Sequence, residues 1–105
     1  MSVNYIAEQD FQRTVIDMAQ AFRWKVYYVP DSRRSPSGYL DLTLARNGII
    51  HFWELKSQKG RITPAQQEWL DALGPWARVY RPSDLDEIEA TIMNDSPPNI
   101  LPLGA

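Results

Sequence analysis

Apolar residues recur with helical spacing in the N-terminal part of the chain. They stand at steps of four, three and four and so mark one side of a helix over residues 5–23: Phe11, Val15, Met18 and Phe22. Residues 25–29 (KVYYV) are rich in β-branched and aromatic side chains, so they predict a strand, which Pro30 ends. Residues 30–38 contain two prolines, a glycine and three serines and predict a loop.

The pattern then changes to two strand-like runs, Tyr39–Ala45 and Ile49–Lys56, on either side of Asn47-Gly48. An Asn-Gly pair between apolar runs is a strong signal for a type I′ turn, because both residues accept a positive φ. The sequence therefore predicts a tight β-hairpin here. This hairpin becomes the second and third strands of a sheet.

A second helix is predicted after residue 62, with Thr63 as its N-cap, Pro64 in the first helical position and Gln66 completing a capping box. Residues 77–80 form a short strand, and a third helix runs from Pro82 to about Met93. The order is αβββαβα, which predicts an α/β fold with a mixed four-stranded sheet flanked by helices. Residues 1–93 are expected to form a single domain, and residues 94–105 an irregular tail.

The amino-acid composition limits the kinds of metal site and nucleophile that the chain can contain. The chain has 105 residues, enough for one domain, and no cysteine, which excludes disulfides, thiolate zinc sites and a cysteine nucleophile. A bound metal would then sit on oxygen ligands, which favour hard cations such as Mg²⁺ or Mn²⁺, or on the single histidine, His51. No run of residues suggests a membrane span or a signal peptide, so a cytoplasmic protein is expected.

Charge gives a mixed indication of the partner. The net charge is −2, which argues mildly against nucleic acid, since nucleic-acid binders are more often basic. The distribution is more informative than the total. Basic residues cluster in segments 23–34 and 56–61, whereas acids cluster in segment 84–89. One face of a small domain can thus be basic although the chain as a whole is acidic.

The hairpin turn sets a register with chemical consequences. If Asn47 and Gly48 form the turn, Asp41 comes to lie directly opposite Glu54, and Tyr39 lies opposite Lys56 on the same face. Opposed residues have Cβ atoms roughly 4.5–5.5 Å apart, and like charges in such a pair destabilise a sheet. A divalent cation between the two carboxylates would remove that repulsion, and Lys56 beside it would stabilise charge on a phosphate oxygen or activate a water.

Each of these residues also has a simpler interpretation. An acid at a strand end is usually solvated, and Lys56 can serve only as an ion-pair partner. Glu8 stands three residues before Phe11 on the apolar stripe, so it either reaches the site or complements the helix dipole. Gln67 either bonds a substrate, a water or Lys56, or is a boundary glutamine. His51 is expected on the opposite face, as a packing residue rather than a ligand.

The ordered motifs resemble the VRR-NUC family, the virus-type replication-repair nucleases of the PD-(D/E)XK superfamily. The matching segments cover nearly the whole chain: Glu8, Asp31–Arg34 (DSRR), Gly38–Leu42 (GYLDL), Glu54–Ser57 (ELKS), Gly60–Thr63 (GRIT), Gln67–Leu70 (QEWL) and Tyr80–Asp84 (YRPSD). Leu40 departs from the family, which usually has proline before the aspartate. That proline shapes the backbone and supplies no ligand, so little functional loss is expected.

The resemblance implies a restriction-endonuclease-like fold and a role for each matching residue. Asp41 and Glu54 would bind Mg²⁺ or Mn²⁺, with the Leu55 carbonyl and Glu8 as further ligands, and Lys56 would be the catalytic lysine. Gln67 would match the glutamine of the second helix. The basic residues expected along the DNA are Arg33, Arg34, Lys59 and Arg61.

The chain also looks like the stand-alone phage and bacterial members of the family, which resemble Holliday-junction resolvases. A homodimeric, structure-selective endonuclease of DNA repair, working in a bacterial or phage-infected cytoplasm, is therefore the expected function. Two alternatives remain open on the same fold. One is a monomeric flap, nicking or exonuclease activity, and the other is a DNA-binding accessory protein without catalysis.

Overall fold

A computed structural model describes residues 7–28 and 38–94 of the chain. The first helix, α1, spans Glu8–Ala21 and buries four side chains: Phe11, Val15, Ile16 and Ala19. Phe22 was predicted on this apolar side but is 39% exposed. The helix has already ended there, since Arg23 takes a φ of 68° and turns the backbone away.

The four strands form one mixed sheet, as the sequence predicts. They are β1 (Lys25–Tyr28), β2 (Leu42–Arg46), β3 (Ile49–Leu55) and β4 (Ala77–Tyr80), in the spatial order β1-β2-β3-β4. The first three strands pair antiparallel, and β4 joins β3 in parallel. The parallel pairing requires a crossover connection, which the second helix provides.

The β2–β3 hairpin has the predicted register. Arg46 pairs with Ile49 and Leu42 with Trp53. Asn47 and Gly48 take φ values of 52° and 81°, which a type I′ turn requires. The position of every side chain along the hairpin therefore follows from the two residues of its turn.

Both strands of this hairpin are shorter than predicted. The ladder stops at the Leu42–Trp53 pair, so Tyr39 and Lys56 do not pair across it. At the next hydrogen-bonding position, the backbone N–H of Leu55 donates to Asp41 Oδ2 at 2.8 Å. In a longer ladder, this Leu55 N–H would have donated to a backbone carbonyl of the neighbouring strand. Here it donates to the Asp41 side chain instead.

Helix α2 spans Pro64–Leu73, and the predicted capping box at Thr63 is confirmed. A 3₁₀ turn over Gly74–Trp76 leads into β4. Helix α3 spans Leu85–Met93 rather than starting at Pro82, because residues 82–84 form a separate 3₁₀ turn. The predicted irregular tail lies outside the described residues, apart from Asn94.

Helices α1 and α3 pack on one face of the sheet, where they bury the main core. This core contains mostly apolar side chains: Phe11, Val15, Ile16, Ala19, Trp24, Leu42, Leu44, Trp53, Leu55, Tyr80, Ile88 and Ile92. His51 lies on this same face, with its ring centroid 5.4 Å from that of Trp24 and 5.5 Å from that of Trp53. It is therefore a packing residue on the face opposite Glu54, as predicted.

Helix α2 contacts the other face, and none of its residues is fully buried. The sheet thus separates a tightly packed apolar side from a more open side that contains the candidate residues. Among the described residues, no helix combines the length and apolar character needed to cross a membrane.

Candidate active site

Two buried charged residues lie at the end of the β2–β3 hairpin. Glu54, near the end of β3, is 1% exposed, and Lys56, just after the strand, is 9% exposed. The Lys56 Nζ lies 4.0 Å from Glu54 Oε2, the outer limit of an ion pair. Charged side chains are seldom buried to this degree unless they are paired or bind a ligand.

Asp41 lies one residue before β2 and is half-buried. Its carboxylate accepts the Leu55 N–H, which brings it beside the carboxyl group of Glu54. The sequence predicted this neighbourhood from strand pairing across the hairpin. The structure achieves it differently, because the Asp41 side chain itself caps the end of the ladder.

Glu54 is the residue with the most perturbed acidity in the site. The pKa of its carboxyl is raised from 4.5 to about 9, chiefly by burial and next by the charge of the adjacent Asp41 and a hydrogen bond with it. The Lys56 ammonium opposes this increase in the pKa, and Glu8 adds a smaller contribution to it. A carboxyl with such a pKa is protonated near neutral pH unless a cation replaces the proton.

Hydrogen bonding around Glu54 is incomplete. Its Oε2 accepts a bond from the side chain of Gln66, whereas its buried Oε1 has no donor among the described residues. Two ionised carboxylates cannot donate to one another, so the contact between Asp41 and Glu54 needs a proton or a cation. An orphaned, buried carboxylate oxygen in such a pair fits a site for a cation.

The structure brings Gln66, rather than Gln67, into this site. The Gln66 Nε2 donates to Glu54 Oε2 at 3.2 Å, whereas the exposed Gln67 donates its amide to Asp71 at 2.9 Å. The sequence did contain a signal for this. Gln66 stands four residues before Leu70 and seven before Leu73, so it continues the half-buried side of α2.

Glu8 also approaches the site from the start of α1. Its Oε1 accepts the backbone N–H of Ser57 at 3.3 Å, and its charge contributes to the raised pKa of Glu54. The residue itself is exposed. It therefore lies beside the buried carboxyl pair and fastens the first turn of α1 to the segment after Lys56.

The predicted DNA-binding residues divide into two pairs. Lys59 and Arg61 are exposed on the segment that follows Lys56. Arg33 and Arg34 fall within residues 29–37, outside the described part of the chain. Exposed cations of this kind can attract a phosphate backbone.

Few side chains of the described residues could bind a metal ion at this site. Within residues 7–28 and 38–94, there is no group of three or more histidine, cysteine, aspartate or glutamate side chains that could hold a metal ion. A cation between Asp41 and Glu54 would need a backbone carbonyl and water to complete its coordination. Mg²⁺ commonly binds in this way, through one or two carboxylates together with several waters.

Comparison of the chain with protein-family models, with curated proteins and with solved structures found no match. The resemblance to VRR-NUC nucleases therefore rests on the ordered motifs in the sequence. The geometry of the site supports a functional proposal separately from these motifs, because it brings together Asp41, Glu54, Lys56 and Gln66.

Proposed function

We propose that the chain is a divalent-metal-dependent nuclease that hydrolyses phosphodiester bonds in DNA, with a PD-(D/E)XK fold of the VRR-NUC type. The observation that carries the proposal is the buried Glu54 carboxyl. It contacts Asp41, lies 4.0 Å from the Lys56 ammonium and has one oxygen to which no residue in 7–28 or 38–94 donates. A cluster of carboxyls with a strongly perturbed pKa beside a lysine is typical of catalytic sites.

Asp41 and Glu54 would hold Mg²⁺ or Mn²⁺, with the Leu55 carbonyl as a third protein ligand and Glu8 close by. The Asp41 Oδ2 already bonds to the Leu55 N–H, so the cation would bind the other carboxylate oxygen, Oδ1. When bound, the cation lowers the pKa of a coordinated water and polarises the phosphate. The cation would at the same time offset the repulsion between the two carboxylates when both are ionised.

Lys56 supplies positive charge at the place where a phosphodiester would react. Its ammonium is fixed near Glu54, and its low exposure limits competition from water. A preorganised cation stabilises the negative charge that develops on the phosphate oxygens in the transition state. Gln66 holds Glu54 from the side of α2, which keeps the carboxyl directed towards Asp41.

We further propose branched DNA as the substrate and a homodimer as the working unit. The family resemblance supports both ideas, because two related active sites suit paired cuts on a four-way junction. The exposed Lys59 and Arg61 provide local positive charge for a DNA backbone. A monomer that cuts flaps or free ends would use the same site on a different substrate.

The test compares Lys56→Met with Lys25→Met, a matched substitution of an exposed lysine on β1 that lies outside the candidate site. Each protein is incubated with a four-way junction, a flap and a linear duplex, with Mn²⁺ or with EDTA. Wild type and Lys25→Met should cleave at least one substrate in Mn²⁺ only. Lys56→Met should be slower by roughly 100-fold or more.

Two results would overturn the proposal. The first is undiminished, metal-dependent cleavage by Lys56→Met. The second is a folded wild type that cuts none of the three DNAs. If that protein still binds DNA, the accessory, non-catalytic alternative replaces the nuclease. If the protein instead prefers the flap or the linear duplex and sediments as a monomer, that result would favour a monomeric flap, nicking or exonuclease over the dimeric junction endonuclease.

A further inference from the structure

Arg81, the residue after β4, binds three carbonyl oxygens of one tight turn. Its Nη1 donates to the carbonyls of Ser57 and Gly60 at 2.7 Å each, and to that of Gln58 at 3.3 Å. The same turn is closed by the Gly60 N–H, which donates to the Ser57 carbonyl at 3.1 Å. Three converging carbonyls form a negative concavity, and the guanidinium is the cation that fills it.

This turn contacts the candidate site directly. A Cβ placed on Gly60 would lie 3.5 Å from Lys56 Cδ, so Gly60 lies beside the aliphatic part of the lysine side chain. The Ser57 N–H at the start of the turn donates to the Glu8 carboxylate. The turn therefore lies next to the Lys56 side chain and bonds to Glu8.

The backbone at Arg81 is itself anchored by hydrogen bonds. Its backbone N–H donates to Asp84 Oδ2 at 2.8 Å, and the backbone carbonyl of Tyr80 just before it accepts the Lys56 N–H at 3.0 Å. Beside it, Gln58 and Ser83 exchange two hydrogen bonds of 3.0 Å, which join the turn to the 82–84 segment. The guanidinium thus connects a fixed strand end to the segment that follows the candidate lysine.

We propose that Arg81 is a positioning residue of the proposed nuclease site. Its guanidinium fixes the 57–60 turn, and the turn sets the Lys56 ammonium against Glu54. Arg81 is half-buried and satisfies backbone carbonyls, so its contribution passes through the turn rather than through contact with DNA. This inference rests on the proposed function, and its test has one part that needs no nuclease activity.

The kinetic part compares Arg81→Ala, Arg81→Lys and Arg78→Ala on the DNA that wild type cleaves. Arg78 is the matched control because it also belongs to the β4 segment, and its Nη1 bonds to the adjacent Ala77 carbonyl. All assays are run in Mn²⁺ well below the unfolding temperature of every variant. Arg81→Ala should lower kcat by roughly 10- to 100-fold and leave KM within about twofold, since a misplaced catalytic group slows the reaction.

Arg81→Lys should recover most of the lost kcat, because an ammonium can also donate to several carbonyls of the turn. Arg78→Ala should behave as wild type. A rise in KM with unchanged kcat would overturn the inference and make Arg81 a DNA-binding residue. Equal losses of kcat in Arg81→Ala and Arg78→Ala would also overturn it, because they would reflect general weakening of β4.

The second part measures hydrogen exchange at the amides of Ser57 and Gly60 without metal or DNA. Arg81→Ala should accelerate both by roughly tenfold and leave the exchange of the β3 amides unchanged, since only the turn loses its anchor. Unchanged exchange at both amides would overturn the inference whatever the kinetics show. If wild type cuts no DNA, the proposed function fails, and the exchange result alone decides whether Arg81 controls the turn.

Discussion

The side-chain amide of Gln66 forms hydrogen bonds both to Thr63, the N-cap of α2, and to Glu54, the buried acid of β3. Its Oε1 accepts the Thr63 N–H at 2.9 Å, and its Nε2 lies 3.2 Å from Glu54 Oε2. A side chain that completes a capping box is normally a local device. Here the same side chain fixes the start of α2 relative to the candidate active site.

Gln66→Ala and Gln67→Ala form a matched pair of neighbouring substitutions. Gln66→Ala removes both hydrogen bonds and should cost roughly 1–2 kcal/mol of the free energy of unfolding. Gln67→Ala removes only an exposed bond to Asp71 and should stay within about 0.5 kcal/mol of wild type. Urea denaturation of the three proteins measures the difference, and equal stabilities of the two variants would contradict it.

The raised pKa of Glu54 gives the metal-free protein a defined pH dependence. Between its unfolded value of 4.5 and its folded value of about 9, the folded state binds more protons than the unfolded state. The contribution of Glu54 to stability is therefore fully present below pH 4.5 and is lost as pH rises towards about 9.

Glu54→Gln imitates the protonated side chain and removes this dependence. In EDTA, the variant should be more stable than wild type at pH 8, and the difference should shrink as the pH falls to 5. Urea denaturation at several pH values measures it. Glu68→Gln, a matched substitution of an exposed residue of α2, controls for the loss of one negative charge. A constant difference between Glu54→Gln and wild type at every pH would contradict the assignment.

A bound divalent cation should stabilise the fold. A ligand present at a hundred times its dissociation constant adds about 2.7 kcal/mol to the free energy of unfolding. Mn²⁺ should therefore raise the melting temperature, and more strongly at pH 8 than at pH 6, because the cation competes with a proton on Glu54.

Asp41→Asn and Glu54→Gln should each abolish this stabilisation by Mn²⁺. Asp17→Asn, which changes an exposed acid on α1, should retain it. Differential scanning calorimetry with Mn²⁺, and with Mg²⁺ in parallel, provides the measurement. An unchanged melting temperature of wild type at millimolar Mn²⁺ would count against a metal site between Asp41 and Glu54.

Local features made part of this architecture predictable. The type I′ turn needs two residues that accept a positive φ, and Asn47 and Gly48 are such residues. The register of the hairpin therefore follows from these two adjacent residues. The capping box of α2 is equally local, since Thr63 and Gln66 are three residues apart. The sheet side of Glu54 and Lys56 follows from the period of two along a strand.

The remaining features depend on contacts between distant segments. The ladder ends early because the Leu55 N–H donates to the Asp41 side chain. No pattern in the sequence of either strand indicates this hydrogen bond. The spacing to Leu70 and the family resemblance both indicate Gln67, whereas the packing of α2 on the sheet brings Gln66 to Glu54. The three carbonyls around Arg81 belong to a turn more than twenty residues away in sequence.

Gly38 and Gly48 provide a final test of how α2 is held against the site. Both have a positive φ, of 77° and 81°, but their surroundings differ. A Cβ on Gly48 would meet nothing within 4 Å, whereas one on Gly38 would clash with the backbone carbonyl of Ala65 in the first turn of α2.

Gly48→Ala should thus cost about 1–2 kcal/mol, which is the price of a left-handed backbone for alanine. Gly38→Ala adds a clash with helix backbone and should cost about 3 kcal/mol or more. Since relief of that clash requires α2 to shift, and α2 positions Gln66 against Glu54, Gly38→Ala should also weaken the stabilisation by Mn²⁺. Gly48→Ala should leave it intact. Urea denaturation with and without Mn²⁺ measures both effects, and equal losses in the two variants would show that Gly38 does not hold the helix in place.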